Sequence, residues 1–204
     1  MTILHHSVDQ WDREEPTQIN LDTIVYHSAP ACLRFQDVAP FSDWLTILSR
    51  HAEAQCIKDG RLVTWGNFRR GNVEQPFCFR NQAPLGTANL TNCYFTTVDK
   101  HLTRLWIRQD DVNTSLGQWF AEMTLNTWEH WRLSWWSALT NGGVSTLLIS
   151  LEKEIDDEWV EQGAPVEYAA NTWHDSEINR CGFQGNPYNS YHVRVDDSEI
   201  WTRT

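Results

Sequence analysis

The stretch Asn126–Gly163 constrains this chain more than any other. Within it Trp131, Leu133 and Trp135 alternate with His130, Arg132 and Ser134, and Leu147, Ile149 and Leu151 alternate with Ser150, Glu152 and Glu154. In extended chain, successive side chains point to opposite faces, so each run predicts a strand with one apolar and one polar side. Asn141-Gly142-Gly143 separates the two runs with turn formers, and Trp159-Val160 resumes extended chain after the acidic run Glu154–Glu158. The stretch therefore predicts three strands joined by two turns. It carries five of the twelve tryptophans, which makes it the middle of a core.

The same period recurs on either side. Ile19, Leu21, Thr23 and Val25 alternate, Cys32–Phe35 and Phe77–Arg80 are short apolar runs, and Cys93–Thr97 and Leu102–Arg108 follow. Trp119–Leu125, Ile178–Phe183 and Tyr191–Trp201 complete the set. Asp59-Gly60 has hairpin-turn chemistry between Ala54–Ile57 and Leu62–Phe68. Pro40–His51 is the exception. Trp44, Ile47, Leu48 and His51 have helical spacing behind a possible cap at Ser42, with an extended strand as the alternative. Short strands punctuated by Gly, Asn and Pro predict an all-β, two-sheet antiparallel sandwich with at most one short helix. Residues 1–18 are polar and read as an N-terminal arm, with one short strand near Val8–Trp11. Residues 19–204 read as a single domain, a length that supports a core of its own.

Sixteen basic against 27 acidic residues give a net charge of −11. That sign argues against nucleic acid and anionic membrane as partners, since both need a basic field. The five cysteines (Cys32, Cys56, Cys78, Cys93, Cys181) show no metal-ligand spacing and read as buried thiols, with one or two disulfides an open alternative. The N-terminus lacks the basic and apolar regions of a signal peptide, so synthesis and folding in a cytoplasm are expected.

The segment Thr127–Trp135 and the ending Val195-Asp196-Asp197-Ser198-Glu199-Ile200-Trp201 carry a resemblance. A tryptophan-spaced strand, a turn and an apolar strand, with an aspartate pair before an aliphatic-aromatic finish, resemble concanavalin A-like and laminin-G-like jelly rolls. The resemblance covers residues 19–201 in layout. It implies a jelly-roll sandwich, a fold shared by lectins, glycan-binding modules, glycoside hydrolases and lyases, and non-enzymatic domains of tailed-phage particles.

Three sets of residues are candidates for chemistry. Glu154-Ile155-Asp156-Asp157-Glu158 is similar to the Glu-aliphatic-Asp-x-Glu signature of retaining glucanases. On a straight strand Glu154, Asp156 and Glu158 would share a face, as nucleophile, tuning acid and acid/base. The opposing reading makes this run a solvated hairpin tip, because Asp157 stands where that signature is apolar. Asp196 and Asp197 are candidate calcium ligands, with Asp9, Asp12 or Asp22 as partners, against the reading of a strand bulge. Trp128, Trp136 and Trp173 lie off the inward faces or in loops, as candidate platforms for stacking on sugars; the opposing reading buries them in the core or in subunit contacts.

The sequence-based expectation is a non-enzymatic structural or adhesion component of a phage-like virion. It would work through contacts with copies of itself and neighbouring virion proteins. A carbohydrate-binding module is the alternative, and a retaining glycoside hydrolase using Glu154 and Glu158 the third.

Overall fold

The computed structural model describes residues 2–5, 10–13, 19–24, 26–28, 32–36, 45–68, 77–89, 91–98, 101–139, 145–185 and 192–202. They form two antiparallel sheets packed face to face. One runs in the order β13 (Glu158–Glu161), β12 (Ser145–Ile155), β11 (Trp128–Leu139), β6 (Gly60–Phe68), β16 (His192–Thr202), β4 (Cys32–Gln36) and β3 (Ile19–Asp22). Two further strands join it, β1 (Thr2–His5) on β16 and β14 (Val166–Tyr168) on β12. The second sheet runs β10 (Val112–Trp119), β9 (Thr103–Gln109), β8 (Cys93–Val98), β7 (Cys78–Asn81), β15 (Arg180–Gly185), β5 (Leu45–Ser49) and β2 (Trp11–Arg13).

Alternation explains the packing. Trp131, Leu133 and Trp135 of β11 and Leu147, Ile149 and Leu151 of β12 are buried, as their period requires. They meet Phe77, Phe79, Tyr94, Leu105, Ile107 and Phe183 from the facing sheet in one cluster. The Phe79 and Trp135 rings stack across the sheets, with centroids 4.8 Å apart. Buried side chains of this size each remove well over 100 Å² from water, so the interface between the sheets dominates stability.

Two expectations change. The helical spacing over Pro40–His51 gives way to β5, every residue of which is buried; Trp44 lies outside the described residues. Its neighbours β15 and β2 supply backbone partners on both sides, and burial of both faces overrides the local period. The hairpin at Asp59-Gly60 does not form. Ala52–Ala54 is a 3-10 turn, and β6 pairs instead with β11 and β16. Gly60 serves close approach, since a Cβ there would lie 2.7 Å from the Trp201 carbonyl oxygen and 2.9 Å from the Trp135 ring. Within residues 1–18, β1 extends one sheet and β2 the other, with Trp11 buried against Phe183. The five cysteines are free thiols, as expected; four are buried and Cys56 is exposed. The Asn141-Gly142-Gly143 turn lies outside the described residues.

Candidate functional site

Antiparallel register sets the outward side chains of the larger sheet in cross-strand rows. One row is Trp201, Arg61, Ser134 and Ser150. The next is Glu199, Val63, Arg132, Glu152 and Glu161. A third holds Asp196, Trp65 and His130, with Glu154 and Trp159 completing it. The fourth begins with Arg194, Asn67 and Trp128. Rows on one face repeat every second residue, about 7 Å apart.

The first two rows enclose a cavity of about 520 Å³, lined by Arg61, Arg132, Ser134, Trp136, Ser150, Glu152, Glu161 and Trp201 among others. That volume lies in the range of small-molecule sites. Arg132 grips Glu152 through Nε and a second nitrogen, a cross-strand bidentate pair. Arg61 Nε donates to Ser134 Oγ at 3.2 Å. Partial burial first, and then the charge of Arg132, pull the Arg61 guanidinium below its ordinary range. Trp201 is 40% exposed, and its indole N–H donates to Glu199 at 2.9 Å.

The third row is an aromatic ladder whose faces are already taken. Trp65 lies between His27 at 3.8 Å and His130 at 4.5 Å, both near parallel. Trp159 carries the Arg132 guanidinium 4.3 Å from its centroid and a tilted His130 at 4.7 Å. His130 Nδ1 lies 2.6 Å from Glu154 Oε2. These rings hold each other; the indoles lining the cavity are Trp136, Trp201 and, from the core beneath, the buried Trp135.

The tryptophan candidates therefore separate. Trp136 lines the cavity. Trp128 stands two rows away, edge-on to His27 at 6.0 Å. Trp173 packs on the core and meets Tyr94 edge-on at 5.4 Å, so its ring fills space between loop and sheet.

The acidic run is not a straight strand. Asp156 and Asp157 have φ of 52° and 65°, the left-handed pair of a two-residue hairpin turn between β12 and β13. Ile155 pairs with Glu158 and Glu154 with Trp159, so Glu154 and Glu158 fall on opposite faces. The geometry proposed for a retaining pair does not form, because a turn replaces the expected i, i+2, i+4 alignment.

Asp196 and Asp197 sit at a bulge, where β16 has one residue more than β6 between Asp196 and Glu199. With His27 they bring three potential ligand atoms within 4.8 Å of one another. Asp196 Oδ2 already accepts the backbone N–H of His27 (2.9 Å) and Ser28 (2.8 Å), and Oδ1 accepts that of Asp197 (2.9 Å). Asp197 Oδ2 takes the Ser28 hydroxyl and faces His27 Nδ1 at 3.4 Å. Calcium takes six to eight oxygens, and an imidazole with carboxylates already bound to N–H donors fits that demand poorly. The cluster works as a clamp on residues 27–28. Of the expected partners, Asp12 is paired with buried Arg180, Asp22 with Arg194 at 2.8 Å, and Asp9 lies outside the described residues.

Sequence reasoning missed Arg61 and Trp201 as site residues. The outward positions of β11 and β12 were visible as alternation, but which strands flank them was not.

No family model matches this chain, and no curated protein matches it in sequence. Solved structures define the class: a concanavalin A-like jelly-roll sandwich. Lectin II from Ulex europaeus is similar over 100% of this chain and 99% of its own, with TM-score 0.58 and 8% identity. The alginate lyase from Aplysia kurodai is similar over 98% and 90%, with TM-score 0.55 and 12% identity. The exoplasmic/lumenal domain of VIP36, in a Ca2+/Man3GlcNAc-bound form, is similar over 98% and 86%, with TM-score 0.56 and 9% identity. At such identities the likeness is one of fold.

Proposed function

We propose that this chain is a carbohydrate-binding module whose site is the cavity between Trp201 and Glu152. One observation carries the reading: two indoles, Trp136 and Trp201, share a cavity with Arg61, Arg132, Glu152, Ser134 and Ser150. Sugars present an apolar C–H face and a polar hydroxyl edge. Aromatic planes suit the first, and fixed charged or hydroxyl groups suit the second. The Arg132–Glu152 pair is tied across neighbouring strands, so it offers oriented donors and acceptors at little ordering cost.

The fold admits this reading, since a lectin and a glycan-bound domain share it. A structural role in a phage-like particle rests on the fold resemblance and the aromatic content of the sequence, whereas the cavity favours glycan binding. Hydrolysis by Glu154 and Glu158 is disfavoured by their opposite faces.

Affinity electrophoresis of the purified chain through gels containing neutral and acidic polysaccharides tests the proposal. At least one polysaccharide should retard the wild type, and Trp136→Ala should lose most of that retardation while remaining folded by circular dichroism. Free migration through every gel would sink the glycan reading.

A further inference from the structure

Resting on that reading, we infer that the preferred ligand carries a carboxylate, a uronate unit, and that Arg61 is the residue that binds it. The charges lining the cavity divide unequally. Arg132 is neutralised by Glu152 through two hydrogen bonds. Glu161 stands exposed on β13, the outermost strand, where water screens it. Arg61 is different. It is partly buried, and among the described residues it makes no ion pair; its Nε is held by the Ser134 hydroxyl.

That hydrogen bond fixes the plane of the guanidinium and leaves its two terminal nitrogens as a fork. A fork of this kind matches a planar carboxylate through two parallel N–H···O bonds, a stronger and more directional contact than one to a neutral hydroxyl. Glu152 is the acid whose charge reaches Arg61, but its two oxygens are taken by Arg132, and Glu199 in the same neighbouring row is engaged by the Trp201 indole N–H. Trp201 pairs directly with Arg61 across β16 and β6, so a sugar ring lying on the indole would bring a ring substituent to the guanidinium. Ser134 is then a positioning residue, and Trp201 and Arg61 are the contacts.

The test compares oligomers of galacturonate, alginate and glucuronate with their own methyl esters by isothermal titration, which removes the charge and keeps the sugar. In at least one series the free acid should bind about tenfold to a hundredfold more tightly than the ester. Arg61→Gln should bring that ratio to about one, by weakening the free acid more than the ester. Arg61→Lys, which keeps the charge without the fork, should retain part of the preference and serves if the glutamine variant fails to fold. Equal binding of acid and ester, or a preference that survives Arg61→Gln, would overturn the inference. If neutral glycans bind and uronates do not, the inference fails while the glycan reading stands; if no glycan binds, the glycan reading itself fails.

Discussion

His27 stacks on Trp65 with ring centroids 3.8 Å apart and planes 13° from parallel. The two are far apart in the chain, and Asp196 makes the contact, because its carboxylate accepts the N–H groups of His27 and Ser28. Asp196→Ala should leave these donors without a partner and cost about 1–3 kcal/mol. Asp196→Asn keeps an acceptor and should cost less. Burial raises the Asp196 carboxyl above its ordinary pKa. The folded state therefore holds this proton more tightly than the unfolded one. The corresponding stabilisation is complete below the unfolded value of about 3.9 and is lost as pH rises through the folded value. Thermal unfolding between pH 3.5 and 7 should show this downward component in the wild type and not in Asp196→Asn. Parallel profiles would refute it.

Trp201 and Trp173 should behave oppositely. Trp201→Ala removes a cavity wall at a surface position, so glycan affinity should fall at least about tenfold with stability within about 0.5 kcal/mol. Trp173→Ala opens a gap beside Tyr94 and should cost about 1–3 kcal/mol without changing affinity in the folded fraction. Urea unfolding with titration of both variants separates the two outcomes.

Arg180 is fully buried and donates to the carbonyl oxygens of Ser49, Pro84 and Thr87 as well as to Asp12. It ties β15 to β5, to the 83–87 loop and to β2. Arg180→Met should leave Asp12 with Arg50 at 3.2 Å and the Gly86 N–H at 2.8 Å, strip the three carbonyls of this donor, and cost about 3 kcal/mol or more. A midpoint shift in urea below about 1 kcal/mol would show that the network is dispensable.

Thiol chemistry should follow burial. Burial pushes the Cys32 thiol up to about 12 and raises Cys93 and Cys181 as well. Cys56 is exposed. A disulfide reagent at pH 8 should therefore titrate one thiol in the native protein and five after unfolding. Cys56→Ser should abolish the native signal.

At the β12–β13 turn both aspartates hold positive φ, the geometry in which the second position favours glycine. Asp157→Gly should stabilise the protein by about 0.5–1 kcal/mol, and Asp157→Val should destabilise it by a similar amount or more. Thermal unfolding of the pair checks both signs. Glycan binding should be unchanged, because this turn lies outside the cavity.

Much of the fold was legible in the chain because burial follows a period of two. Trp131, Leu133 and Trp135 point inward in the structure as their alternation requires, and β16 spans most of the run expected for Tyr191–Trp201. The errors fell where that signal is weak. In β5 every residue is buried, so no alternation exists to oppose the accidental helical spacing of Ile47, Leu48 and His51. Gly60 looked like a turn residue because its local chemistry is that of a turn, while its actual role is to let Trp201 and Trp135 approach.

The candidate site was harder to see for a related reason. Alternation assigns Arg132, Ser134 and Trp136 to an outward face, and it does the same for Ser150 and Glu152. It cannot say that β6 and β16 lie beside them. Ser134 meets Arg61 across 73 residues of sequence, and Trp201 reaches Arg61 only because the chain ends by inserting β16 between β6 and β4. The sequence alone determined which side chains face water, because that is a property of each strand. Only the tertiary structure decided which of them share a row, because register belongs to pairs of strands and is set by the packing of the whole sandwich.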